Sequence, residues 1–192
     1  MTSISQKVSS KNPILSLLSI FLLLIVALVF RFNYFSNNST NGYNATSWDA
    51  LGYYMYQPGL IIYKDVKKLD WLPQIDSTYH VTGGRLYQAN KIENGNFVFK
   101  YLGGVCILQL PFFIMGHTIA NYFDVIQDGF SWPYQYSIMF GAIFWFFIGL
   151  FFLRSTLLKY FSDEIVSLTI LLIFLATNLP QYISIDGSMS HS

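Results

Sequence analysis

Charge is what this sequence has least of. Asp, Glu, Lys and Arg make up 11% of its 192 residues, under half of the roughly 25% usual in soluble domains. The charges nearly cancel to a net +1, so nothing points to a nucleic-acid partner or a polyanionic substrate. A lone cysteine, Cys106, excludes an internal disulfide framework and a cysteine-based zinc site. Gly83-Gly84 and Gly103-Gly104 lack the spacing and the Lys-Ser/Thr of a phosphate loop. His80 and His117 have no metal-ligand spacing and suit surface and interfacial packing. No Ser-His-Asp or Cys-His arrangement can be argued.

What is abundant is apolar. Hydrophobic residues are 53% of the chain and aromatic residues 19%, concentrated in long blocks. Ile14 to Phe30 carries no charge, follows Lys7 and Lys11, and closes at Arg31. With its flanking aromatics it reaches the length of about 20 residues that a membrane span needs. It has no clear small-residue cleavage site, so it reads as an uncleaved anchor rather than a signal peptide. The expected organisation is a cytoplasmic N-terminus over 1–12 and a first transmembrane helix over 13–33. A second follows over 134–153 and, after a cytoplasmic loop at 154–163, a third over 164–185. Ser162-Asp163-Glu164 opens the third, and Pro180 lies near its end. The end of the chain, 186–192, is then extracytoplasmic.

The block 101–123 is less apolar, holding Gln109, Pro111, Gly116 and His117. If it crossed, Asp124 and Asp128 would face the cytoplasm, and Arg154 and Lys159 would lie outside. That arrangement opposes the positive-inside tendency. An interfacial or re-entrant helix removes the conflict and is the expectation, with a fourth crossing as the alternative.

The loop 34–100 is then extracytoplasmic. It and its two ends hold Arg31, Lys64, Lys67, Lys68, Arg85, Lys91 and Lys100, which long loops tolerate because they translocate largely regardless of charge. Asn37, Asn38 and Asn44 each begin an N-x-S/T sequon, and Asn33 to Asn44 reads as linker. Ser47 and Asp49 suit a helix start. Leu51, Tyr54, Met55 and Ile62 give an amphipathic helix over 48–62 whose apolar face could rest on the membrane, although Pro58-Gly59 would bend or break it. Short apolar runs between Tyr79 and Lys100, punctuated by Gly83-Gly84 and Asn94-Gly95, predict one or two small hairpins. The whole reads as an all-α membrane protein with about three transmembrane helices, juxtamembrane helices and a small extracytoplasmic hairpin. Three helices make a poor membrane enzyme, so the chain is expected to be a piece of a larger multi-span fold.

Three places could carry chemistry. Asp49 opens a helix among Trp48, Tyr53 and Tyr54. Desolvation there would suit a general base, while stabilising the helix start is the plain alternative. Lys100 stands where the loop meets the 101–123 block, able to meet a lipid phosphate or simply to snorkel. Asp186, Ser188, Ser190 and His191 cluster after the last span, as contacts for acceptor, phosphate or metal or as an ordinary polar loop.

The order of these features resembles the N-terminal region of integral membrane glycosyltransferases of the C-type fold, including the protein O-mannosyltransferase and lipid A aminoarabinose transferase relatives. Ser47-Trp48-Asp49-Ala50-Leu51-Gly52-Tyr53-Tyr54-Met55-Tyr56-Gln57-Pro58 is similar to the opening of bacterial members. So is Lys100-Tyr101-Leu102-Gly103-Gly104 leading to Leu110-Pro111-Phe112-Phe113 and His117, and so is Ser188-Met189-Ser190-His191. The resemblance implies transfer of a sugar from a polyprenyl-phosphate donor, with inversion, to a hydroxyl of a lipid, glycan or protein acceptor, outside a bacterial inner membrane. It gives Asp49 the role of base and Lys100 that of a donor-phosphate contact, with Tyr53, Tyr54, Asp186 and His191 as further substrate contacts. Some relatives use a divalent metal, for which no ligand set here is compelling. Asp49 is followed by Ala50 where many relatives carry Glu, and Lys100 by Tyr101-Leu102 where many carry Pro-Pro. A non-catalytic component of polysaccharide export or assembly, and a transporter fragment, are the competing readings.

Overall fold

The computed structural model describes residues 13–38, 45–184 and 188. It is mostly helical. The first helix, α1 (Leu15–Asn38), is followed by the short helices α2 (Asp49–Tyr54), α3 (Tyr56–Ile61) and α4 (Leu72–Tyr79). A hairpin of β1 (Ala89–Lys91) and β2 (Phe97–Phe99) comes next, then α5 (Gly104–Tyr122), α6 (Trp132–Leu157), α7 (Asp163–Leu175) and α8 (Leu179–Ser184). Three stretches are long and apolar enough to cross a membrane: Leu15–Tyr34 of α1, α5 and α6. Much of their apolar surface faces outward, as at Leu22, Ile25, Phe144 and Phe152. That pattern is compatible with an integral membrane protein.

This set differs from the expected one. The stretch 164–185, expected as one helix, is two. Alpha7 has 13 residues, about 20 Å of helix against a hydrocarbon core of about 30 Å. The cause is local. Pro180 has no N–H to continue the ladder. Thr177 donates its hydroxyl back to the Ile173 carbonyl at 2.7 Å and accepts the Leu179 N–H at 3.2 Å, opening α8 on a new axis. The block 101–123, expected to be interfacial or re-entrant, contains an unbroken 19-residue helix.

The predicted helix over 48–62 is likewise two, α2 and α3, meeting at Met55. Pro58 cannot donate to the Tyr54 carbonyl, and the ladder breaks at that point. Its apolar face does not rest on lipid. Leu51, Tyr54 and Met55 are fully buried in protein, in one core with Phe113 of α5 and Phe130, Tyr134 and Ile138. A second core joins Ile20, Leu23 and Ala27 of α1 to Ile143, Phe147 and Leu150 of α6 and to Val166, Ile170 and Phe174 of α7. Alpha6 serves both cores, one with each half.

Side-chain contacts fix the helix directions. Arg154, near the end of α6, donates to the Ser16 hydroxyl at 2.8 Å, and Asp163 accepts the Leu15 N–H at 2.7 Å. The start of α1, the end of α6 and the start of α7 therefore share one end of the molecule. At the other end Arg31 of α1 donates to the Ser184 carbonyl of α8 at 3.2 Å. Alpha5 runs antiparallel to α6. Trp145 donates to the Leu108 carbonyl at 2.9 Å, and Gly116 faces Tyr134 so closely that an added Cβ would lie 2.9 Å from its Cα.

One hairpin stands in the predicted region, pairing Ala89 with Phe99 and Lys91 with Phe97. Gly95 (φ 84°) supplies the left-handed residue of its turn. The Phe97 N–H reaches the Lys67 carbonyl at 2.6 Å, tying the hairpin to the chain after α3.

Candidate functional site

The hairpin and the entrance to α2 come together at Asp49. Tyr87 and Tyr101, on either side of the hairpin, both donate their hydroxyls to the same Asp49 oxygen, Oδ1, at 2.7 and 2.6 Å. Gln88 ties the two segments. Its side-chain amide donates to the Trp48 carbonyl at 2.8 Å, and its own carbonyl accepts the Lys100 N–H at 2.9 Å. The residue before Asp49 and the residue before Tyr101 thus hang on one glutamine. Gln88 is fully buried, whereas Asp49 is half-buried and Lys100 is exposed.

Tyr101, itself half-buried, is held by several contacts. Its ring lies against Gly52, where an added Cβ would come within 2.1 Å of the ring, so no larger residue fits there. Tyr53 meets the ring edge-on at 4.7 Å, and the Tyr101 carbonyl accepts the Tyr56 hydroxyl at 2.5 Å. Tyr56 in turn stacks on Phe99 of β2 at 4.4 Å. Burial and then the bond to Asp49 push the Tyr87 phenol up to about 12, and the same two causes raise Tyr101. Both tyrosines stay protonated donors at neutral pH, and donors to a carboxylate favour its charged form. The arrangement holds an oriented carboxylate at a partly open surface.

A similar pairing at Asp128 gives a useful contrast. Tyr79 donates to its carboxylate at 2.6 Å, while the N–H groups of Phe130 and Ser131 reach the other oxygen at 2.8 Å each. Asp128 is thereby committed to the turn that starts α6. At Asp49 the two phenols are among the partners of the carboxylate, and Lys100 follows β2, immediately before Tyr101.

The other expected site residues fall differently. Tyr53 belongs to the cluster. Tyr54 is fully buried, with its hydroxyl on the Gly129 carbonyl and its ring against Phe113 and Phe130, so it is a core residue out of a ligand's reach. Asp186 and His191 lie outside the described residues. Of the same stretch, Ser188 is described, and its carbonyl accepts the Gln109 amide at 3.1 Å. His117 shares a hydrogen bond of 2.6 Å with the Tyr134 hydroxyl and stacks on Phe113. Among the described residues no three His, Cys, Asp or Glu side chains gather as metal ligands. Neither family models, curated proteins nor solved structures gave a match.

Tyr87, Tyr101 and Gln88 are the members of this cluster that sequence reasoning missed. Tyrosines are common in this chain, and only the fold brings positions 38 and 52 residues away onto Asp49.

Proposed function

We propose that this chain is the N-terminal part of a membrane glycosyltransferase that moves a sugar from a polyprenyl-phosphate donor to an acceptor hydroxyl on the extracytoplasmic side. The observation that carries the reading is the Asp49 carboxylate, held by two phenol donors and tied through Gln88 to the backbone of Lys100. Asp49 takes the proton of the acceptor hydroxyl as that oxygen attacks the anomeric carbon. The bond from that carbon to the phosphate oxygen breaks, the polyprenyl phosphate departs, and configuration inverts. Tyr87 and Tyr101 keep the base oriented before the reaction begins. Lys100 meets the negative charge that grows on the leaving phosphate.

The helix directions support an extracytoplasmic site. Alpha1 and α6 run antiparallel, so the chain between them leaves and re-enters the membrane on the same side. Among the described residues between them only α5 is long enough to cross, and one crossing alone would break that pairing. Alpha5 then lies in the outer leaflet or re-enters without crossing. Arg154 and Lys159 fall on the cytoplasmic side, as positive charge prefers.

Asp49→Asn in the full-length protein tests the reading. Sugar transfer should fall by a factor on the order of 10² to 10⁴, with the variant still folded. Normal transfer by a well-folded variant removes the base from Asp49. Lys100→Ala should weaken donor binding more than acceptor binding, and unchanged donor affinity would leave that lysine as a headgroup anchor.

A further inference from the structure

Trp48 carries the observation that the catalytic reading leaves unused. Its backbone has φ 55° and ψ −131°, a strained region that residues other than glycine rarely occupy. The surroundings enforce it from both sides: the Trp48 N–H donates to the Val81 carbonyl at 3.1 Å, and its carbonyl accepts the Gln88 amide. Such strain in an interior residue would be offset by burying a large side chain, but Trp48 is 54% exposed. The strain therefore serves to present the indole at the surface.

How it is presented is specific. The six-membered ring lies on Gly83, where an added Cβ would come within 2.9 Å of it. Gly83 is itself left-handed at φ 66°, so a bare backbone turn forms a bed for one face of the indole. An indole bedded on one side and exposed overall is a flat platform, and the residue after it is Asp49. Gly84 and Thr82, in the same turn as Gly83, line a pocket of about 440 Å³ on the next stretch of surface. Its lining combines apolar Leu72, Leu86 and Phe97 with charged Lys68, Asp70 and Lys91. Apolar faces mixed with isolated polar groups are what a pyranose requires: its C–H face stacks on an aromatic ring while its hydroxyls meet charged side chains.

We propose that Trp48 and the adjoining pocket bind a saccharide chain, with one pyranose ring stacked on the indole and a further ring in the pocket. This deepens the proposed transfer by naming the acceptor class: the hydroxyl presented to Asp49 belongs to a glycan. The reaction at that hydroxyl rests on the glycosyltransferase reading; the binding of the saccharide does not.

The test uses the full chain in detergent, titrated with neutral oligosaccharides of glucose, mannose and N-acetylglucosamine up to millimolar concentration. Binding is read by calorimetry and by tryptophan fluorescence. At least one series should bind and perturb the emission. Trp48→Ala should weaken that binding about tenfold or more, while Trp48→Phe, which keeps a flat face, should stay within about threefold. Binding by none of the series, or equal binding by wild type and a folded Trp48→Ala, overturns the proposal and leaves Trp48 as an interfacial anchor. The arms also separate the two readings. Asp49→Asn should keep saccharide affinity while losing transfer. Saccharide binding with normal transfer by Asp49→Asn would uphold the platform and remove the base. Lost transfer without saccharide binding would do the reverse.

Discussion

Replacing Asp163 by alanine should cost more stability than any other single change at the Arg154 end of the helices. The carboxylate is 3% exposed and accepts the N–H groups of Leu15 and Ser16, at 2.7 and 3.1 Å, together with the Ser16 hydroxyl. It thus caps α1 from a position 147 or 148 residues away in sequence, satisfying donors at a helix start that have no partner within the helix. Arg154 closes the arrangement by donating to Ser16 Oγ and to the Pro13 carbonyl. A hydrogen bond to a charged acceptor contributes about 1.5 kcal/mol at the low end of the usual range. Two backbone donors left bare in Asp163→Ala therefore give a loss of about 3 kcal/mol, and the melting temperature should fall by roughly 6–12 °C for a chain of this size.

The pH dependence follows from the same contacts. Burial alone would raise the Asp163 carboxyl, but the Ser16 hydroxyl, the two N–H groups and the Arg154 charge together hold it below its usual value. A carboxyl depressed by folding stabilises fully above its unfolded value, about 3.9. That stability is lost as pH falls through the lower folded value. The gap between wild type and Asp163→Ala should accordingly be full at pH 6 and narrow progressively below about pH 4. Thermal melts of the detergent-solubilised chain across this range measure it. A gap of under one or two degrees at pH 6, or one that widens in acid, would refute the clasp.

The remaining predictions are shorter. Tyr101→Phe should lower sugar transfer about tenfold by releasing the Asp49 carboxylate; unchanged transfer by the folded variant would mean that the phenol only fills space. Gly116→Ala should destabilise by about 1–3 kcal/mol, since the new methyl would meet Tyr134 backbone rather than a flexible chain end, and a melt unchanged from wild type would contradict that packing. Cysteines placed at Asp124 and Lys159, in a Cys106→Ser background, should label from opposite sides of the membrane, Asp124 from outside. Labelling of Lys159 from outside and of Asp124 only from inside would mean that α5 crosses.

Two helix breaks show where the residues were sufficient and where they were not. Pro58 and Pro180 announce interruptions because a missing N–H acts locally. One helix was expected to continue past Pro180 to residue 185, but Thr177 captures both the carbonyl before the break and the N–H after it. The amphipathic pattern of Leu51, Tyr54 and Met55 was legible as a buried face, but the pattern does not distinguish lipid from protein as the apolar partner. Phe113 and Phe130 turned out to be that partner.

The sequence by itself determined that long apolar helices dominate and that Asp49 begins one of the short ones. Both follow from composition, periodicity and local backbone chemistry, which act over a few residues. Only the tertiary structure decided that Tyr87, Gln88 and Tyr101 converge on Asp49, that Tyr54 is sealed in a core, and that Asp163 caps a helix at the far end of the chain. Hydrogen bonds between residues dozens of positions apart exist only after the helices have packed, and no local pattern records which partners that packing will bring together.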